Sequence, residues 1–153
     1  MSMNLDYKGI EIGELAANTS ATLIPGRPVK LNASAEIVAA TVNADVLGLV
    51  KEAQIAALDE VSGDYGIYGS GKASVVVKGI VTVEQSVING VSYSVYNEAP
   101  TTAYAPMQHL YVNSSGEIDN AQTYTGITYG YIGMVLVPPT NAANGDPMQI
   151  VVE

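Results

Sequence analysis

Short runs of β-branched residues, separated by glycine, proline, asparagine and serine, constrain the fold of this 153-residue chain more than any other feature. Residues 71–84 (GKASVVVKGIVTVE) predict one long strand in which Gly79 marks a bulge. Residues 90–97 alternate between two faces, as a half-buried strand does. Further strands are predicted over residues 132–137, which end at two prolines, and over residues 148–152. The sequence therefore predicts an all-β fold, a compact β-barrel or β-sandwich.

One segment has helical rather than strand periodicity. Residues 50–61 (VKEAQIAALDEV) place Ile55, Leu58 and Val61 three residues apart, on one face of a helix. Because no other segment shows this spacing, we expect at most one short helix.

Two parts of the chain resemble each other. Residues 29–37 (VKLNASAEI) and 110–118 (LYVNSSGEI) share Asn, Ser, Glu and Ile in register, and an aliphatic-Gly-aliphatic-Val run follows each, at residues 47–50 and 132–135. One interpretation is two related β-hairpin units, each with an apolar face that it buries in a common barrel or sandwich. The other is independent reuse of Asn, Ser and Gly, because turns require these residues. The sequence leaves both open.

The first 25 residues differ from the rest of the chain, because their periodicity fades after the alternation at Ile10 and Ile12. One interpretation is an N-terminal arm that becomes ordered on a partner protein and adds a strand to an exposed sheet edge. Its partner-binding residues would be Leu5, Tyr7, Ile10 and Ile12. The other is an ordinary first strand of the same barrel. The predicted division is therefore residues 1–25, an arm or first strand, and residues 26–153, the β-barrel domain.

Charge is sparse and mostly negative, with six Lys and Arg against 15 Asp and Glu and a net charge of −9. Nucleic-acid affinity depends on clustered Lys and Arg, so the composition argues against DNA and RNA as partners. The chain has no cysteine, which excludes disulfides and thiolate metal sites. It also lacks the roughly 18–20 continuous apolar residues of a membrane span and the pattern of a secretory signal. We therefore expect a soluble protein assembled in a cytoplasm.

Residues 66–72 (GIYGSGK) reproduce the glycine and lysine spacing of a phosphate-binding P-loop. The next residue, Ala73, stands where that motif needs Ser or Thr to coordinate magnesium. A strand is predicted after it, whereas a P-loop needs a helix whose N-terminus meets the phosphates. The pattern therefore indicates a glycine-rich loop that enters a strand.

No other group of residues predicts catalysis. His109 is the only histidine, and no nucleophile motif accompanies it. Asp59, Glu60 and Asp64 lie in one segment without the regular alternation of oxygen ligands that calcium sites use, which indicates a solvated acidic loop. We predict no catalytic, cofactor-binding or metal-binding residues, and a protein that is not an enzyme.

Four segments carry a resemblance to a known family. They are PVKL at residues 28–31, LGLV at 47–50, the strand at 73–83 with its KGIV, and IGMVLV at 132–137. The sequence resembles the small decoration, or cement, proteins that bind the outside of tailed-bacteriophage capsids.

This resemblance implies a β-tulip-like domain, present in many copies, that binds the major capsid protein across subunit junctions of an icosahedral shell and stabilises the shell. It further implies a virion protein that is made in the host cytoplasm and lies on the capsid exterior. A homotrimer at threefold positions is one arrangement it suggests. The family has no catalytic residues to carry over.

A function of another class also fits the sequence. All of the aromatic content is ten tyrosines, with no Phe or Trp, and tyrosine rings stack on sugars. A carbohydrate-binding or adhesive β-domain, on a phage fibre, a tail or a cell surface, would use a surface platform formed by Tyr104, Tyr111, Tyr124, Tyr129 and Tyr131.

Overall fold

The computed structural model of the chain describes residues 4–5, 9–18, 20–42, 44–51, 71–88, 90–121 and 130–153. The predicted helix lies outside these residues except for its first two positions, as do residues 66–70 of the glycine-rich loop and the three acidic residues of the predicted loop. Within the described residues the regular structure is β-strand apart from one turn of 3-10 helix, Ala142–Asn144. The predicted all-β fold class is confirmed.

Twelve strands are present in the described part of the chain. In order they are β1 Asn4–Leu5, β2 Ile10–Ala16, β3 Pro28–Leu31, β4 Ile37–Ala39, β5 Gly48–Val50, β6 Lys72–Val83, β7 Ser86–Ile88, β8 Val91–Tyr93, β9 His109–Val112, β10 Ile118–Asp119, β11 Tyr131–Val137 and β12 Met148–Val152.

The long strand β6 belongs to two antiparallel sheets. Its first half pairs with β2 on one edge and β5 on the other, which gives a first sheet of order β2-β6-β5-β3-β4. Its second half pairs with β1 and β12, which gives a second sheet of order β1-β6-β12-β11-β9-β10. Between the halves, Gly79 has φ of 133°, a conformation that favours glycine. The register against β2 shifts at Val77, two residues before the predicted bulge, whereas Gly79 itself is paired in regular register with β12.

The two similar segments of the sequence form the same hairpin. In the first, between β3 and β4, the Asn32 side-chain oxygen accepts hydrogen bonds from the backbone N–H groups of Ser34 and Glu36, both at 2.9 Å. In the second, between β9 and β10, the Asn113 oxygen accepts from residues 115 and 117 at 3.0 and 2.9 Å. In both hairpins the Asn amide also donates to the Glu carboxylate. The prediction that each segment is a strand, a polar turn and a returning strand is confirmed.

The equivalence extends well beyond these hairpins. Ile37 forms an isolated parallel bridge with Ala17, and its counterpart Ile118 forms one with Tyr96. The residue after each of these partners donates its N–H to the same isoleucine carbonyl, at 3.0 and 2.7 Å. We therefore define a first repeat, residues 10–78, and a second repeat, residues 79–153. The β7–β8 hairpin is an insertion in the second.

Glycines at one equivalent position let neighbouring strands approach closely. A Cβ atom on Gly48 would lie 2.2 Å from the carbonyl oxygen of Val76, and one on Gly133 would lie 1.7 Å from that of Val151. Both positions come from the aliphatic-Gly-aliphatic-Val runs of the sequence. Backbone oxygens cannot move aside as flexible side chains do, so these positions exclude every other residue type.

Each repeat has its own hydrophobic core, and the two cores correspond residue for residue. The first consists of Ala17, Leu23, Val29, Ile37, Val50, Ala73 and Val75. Their counterparts in the second repeat, all within one larger buried cluster, are Tyr96, Tyr104, Leu110, Ile118, Val135, Met148 and Ile150. The larger cluster also contains residues of the first repeat, among them Ile24, Leu49 and Val76, so it extends across both repeats.

Residues 10–16 form a strand that pairs with β6, as expected from the interpretation of residues 1–25 as an ordinary first strand. Ala17, Leu23 and Ile24 are buried, so this part of the chain also contributes to the cores. The division of the chain at residue 25 stays a prediction.

Replacing Gly48 or Gly133 with alanine will lower the free energy of unfolding by about 3 kcal/mol, because the added carbon overlaps a backbone oxygen. The matched control is Gly13→Ala, whose Cβ would meet no heavy atom closer than the Ser74 hydroxyl at 3.9 Å. It will change stability by less than about 1 kcal/mol. Urea unfolding followed by circular dichroism measures all three. A Gly48→Ala or Gly133→Ala variant as stable as Gly13→Ala would contradict this account of the close strand approach.

Candidate partner-binding surface

Strand β2 presents two large apolar side chains to solvent. Ile10 is 56% exposed and Ile12 is 38% exposed, although both belong to a strand paired with β6. Leaving such surface in water is unfavourable by roughly 25 cal/mol per Å², so a neighbouring pair of exposed isoleucines marks a surface that gains from being covered.

A shallow apolar groove lies beside Ile10, at the point where β6 passes from the first sheet to the second. It has a volume of about 440 Å³. Ile10, Gly79, Ile80 and Val151 contribute to its walls, together with the charged residues Lys78 and Glu153. A groove with apolar walls and a charge of each sign suits an apolar side chain that carries a polar neighbour.

The four residues predicted from the sequence to bind a partner have different positions. Ile10 lines the groove, and Ile12 lies two residues further along the same strand. Leu5, in β1, is paired through its backbone with Val81 of β6. Tyr7 lies outside the described residues. The sequence did not indicate Ile80 and Val151, because only the fold brings β12 and β6 beside Ile10.

An ion pair lies on the polar side of β2. The Lys51 ammonium is 3.2 Å from the Glu11 carboxylate, and both side chains are about 30% exposed. Lys51 follows β5, so the pair links the two strands that flank β6 in the first sheet. Exposed pairs of this kind contribute at most about 1 kcal/mol, so pairing with β6 rather than charge holds β2 in place.

Three aromatic side chains form a second exposed feature, on β9 and β11. The His109 and Tyr131 rings have centroids 5.5 Å apart, and the Tyr111 and Tyr131 rings 5.9 Å, both in edge-to-face contact. The Tyr131 hydroxyl donates a 2.8 Å hydrogen bond to the Glu153 carboxylate. We call His109, Tyr111 and Tyr131 the aromatic cluster.

Comparison of the repeats shows that the fold does not need this cluster. The hairpin alignment places Pro28 at the position of His109 and Lys30 at that of Tyr111, and the first repeat forms the same strands without aromatic rings there. These rings are therefore a property of the second repeat's surface rather than a requirement of its hairpin.

The prediction that Tyr104 belongs to a surface platform is wrong. Tyr104 is buried in the second core, in edge-to-face contact with Tyr96 at 5.5 Å, and its hydroxyl donates to the Asn97 carbonyl at 2.9 Å. Burial raises the pKa of Tyr104 well above its ordinary value. Its counterpart in the first repeat is the core residue Leu23, a relation the sequence pattern did not reveal. Tyr124 and Tyr129 lie outside the described residues.

The described residues contain no group of three or more His, Asp or Glu side chains arranged to hold a metal ion. None of their segments forms a helix with the length and apolarity that crossing a bilayer requires.

No protein-family model matches the chain, and no curated protein matches it either.

The environment of Tyr131 gives a test of the aromatic cluster. Burial, followed by the hydrogen bond to Glu153 and the charge of that carboxylate, raises the pKa of Tyr131 to about 12. Glu153→Gln removes the negative charge, so the tyrosinate will form at lower pH and the pKa will fall towards its ordinary value near 10. Carbon-13 NMR of labelled tyrosines measures this titration, and Glu36→Gln, in the other repeat, is the control. An unchanged pKa in Glu153→Gln would contradict the contact.

Proposed function

We propose that this protein is a virion structural protein that binds the outer surface of an icosahedral phage capsid, bridges major capsid protein subunits and stabilises the shell. The observation that carries the proposal is the apolar groove with Ile10 and Ile12 exposed beside it. The family resemblance of the sequence supplies the identity of the partner.

The architecture supports a structural role. Two repeats with separate cores share strand β6, which gives a rigid module whose groove lies at the junction of the two sheets. A module bound only to the assembled shell shifts the equilibrium towards that state. Many copies on a symmetric lattice then convert modest individual contacts into a large total stabilisation.

The groove gives the contact a definite chemistry. An apolar side chain of the capsid protein would enter between Ile10 and Ile80, while Lys78 and Glu153 pair with polar groups at its margin. Apolar anchors in pockets surrounded by polar residues provide most of the affinity of typical protein interfaces.

Ile10→Asp will reduce occupancy on shells that lack this protein by at least about tenfold, because a carboxylate then occupies the apolar groove. Quantitative gels of density-purified particles, incubated with excess protein, measure the ratio of this chain to capsid protein. The matched control is Val91→Asp, which places the same charge on an exposed aliphatic position of β8, away from the groove. Equal occupancy for Ile10→Asp and Val91→Asp would refute the groove as the attachment site. Failure of the unaltered protein to bind any shell would refute the function.

A second function is favoured by the aromatic cluster, which combines an exposed His109 and two partly exposed tyrosine rings with the Glu153 carboxylate, an acceptor for sugar hydroxyl groups. Carbohydrate binding or adhesion would use this surface, which shares Glu153 with the groove but does not include Ile10. On this hypothesis Tyr131→Ala, but not Ile10→Asp, will abolish binding of oligosaccharides in a glycan array and in calorimetric titration. Absence of binding by the unaltered protein across the array would exclude this second function.

A further inference from the structure

The two repeats contact each other through unlike faces. The first repeat uses its outer face, which includes the buried residues Gly26, Leu49 and Val76. A Cβ on Gly26 would lie 2.9 Å from Val95 and 3.6 Å from Val83 of the second repeat. On the side of the second repeat, Val112, Ile132 and Val152 belong to the same buried cluster as Leu49 and Val76. We call that side the rim of the second repeat, formed by Val83, Val112, Ile132 and Val152.

Each repeat therefore has one face that this contact leaves unused. The counterparts of the buried outer face are Met107, Met134 and Val151 of the second repeat, which we call the head face. Met107 is 65% exposed, and the other two are partly exposed. The counterparts of the buried rim are Leu15, Leu31, Leu47 and Val77 of the first repeat, which we call the open rim. Leu31 is 47% exposed, and the others are only partly buried at the edge of the first core.

Side-chain sizes at the two unused faces compensate each other. In the contact within the chain, Gly26 of the first repeat faces Val95 of the second. The counterpart of Gly26 on the head face is Met107, and the counterpart of Val95 in the first repeat is the exposed Ala16. At the unused faces the large residue, Met107, stands where the contact within the chain has the small one, and the small residue, Ala16, stands where that contact has the large one. Met107 also has φ of 69°, in the left-handed region where the first repeat has glycine. This conformation is less favourable for methionine than for glycine, so Met107 carries backbone strain that Gly26 does not.

Charge favours the same pairing of faces. All six Lys and Arg residues lie within residues 1–78, and residues 79–153 contain none. Lys30 and Lys78 are next in sequence to Leu31 and Val77 of the open rim, and Glu153 follows close on Val151 of the head face. Two second repeats in contact would bring acidic surfaces together, whereas a head face on an open rim joins an acidic surface to one that carries lysines.

We propose that copies of this chain associate head to tail, with the head face of one copy bound in the open rim of the next, so that the contact between copies repeats the contact within each copy. Such an interface uses two different patches of the same chain and generates a closed ring, or a filament where the rotation does not close. The head face shares Val151 with the groove, whereas Ile10 belongs to neither face, so the Ile10→Asp variant separates association of copies from shell binding.

Sedimentation velocity of the full-length protein over a concentration series tests the association. We expect species of two or more times the 15.9 kDa chain mass. Met134→Asp removes the head face and Leu31→Asp removes the open rim, and each alone will sediment as a single chain. An equimolar mixture of the two variants will form a dimer and nothing larger, because one intact head face meets one intact open rim. Val91→Asp, on neither face, will associate as the unaltered protein does.

If circular dichroism shows that either aspartate variant does not fold, two milder variants test the proposal instead. Met107→Gly relieves the left-handed strain, so its urea midpoint will stay the same or rise while association weakens by at least about tenfold. Leu31→Ser will weaken association from the other face. An unaltered protein that remains a single chain up to its solubility limit would overturn the proposal. So would a mixture of head-face and rim variants that stays monomeric, which indicates a contact between identical patches.

Discussion

Strand β6 is the element on which the rest of the structure depends, because its two halves are the centre of two different sheets. Val75 lies in the first core, Val76 lies on the outer face that packs against the second repeat, and Val81 belongs to the second repeat's buried cluster. The strand is buried on both faces from Ala73 to Val76, which explains the absence of polar alternation in that part of it. Gly79 provides the backbone conformation that joins the halves.

The repeats show how one backbone plan accommodates unequal side chains. Ala17 and Leu23 correspond to Tyr96 and Tyr104, so the second core is filled by rings where the first has small or aliphatic groups. Buried tyrosine hydroxyls require partners. Tyr96 donates to the carbonyl of Asp146 at 2.6 Å, just after the 3-10 turn of the second repeat. The polar partners of the rings thus come from the loops of the repeat that contains them.

Much of the fold follows from local sequence. The β-branched runs predicted the strands at residues 72–83, 131–137 and 148–152, and the shared Asn, Ser, Glu and Ile predicted the paired hairpins, because an Asn side chain that accepts two backbone N–H groups needs this spacing. The burial of Tyr104 was not predictable from residues 90–118 alone, since it depends on which face of the curled sheet packs on the core. Pairing of β2 with β6 joins residues more than 50 positions apart, so Ile80 and Val151 could not be placed beside Ile10 from the sequence.

The position of β6 in the chain also sets an order of folding. The first sheet is complete once residue 78 has been synthesised, whereas the second cannot close until β12, the last strand, is available. The first repeat can therefore form on the ribosome and offer its outer face as a template on which the second repeat condenses. Because the two repeats have equivalent strands, a strand of one repeat could misfold into the position of its counterpart in the other. A tyrosine does not fit where an alanine belongs, so the mismatch in core volume penalises the exchanged arrangement and directs each strand to its own sheet.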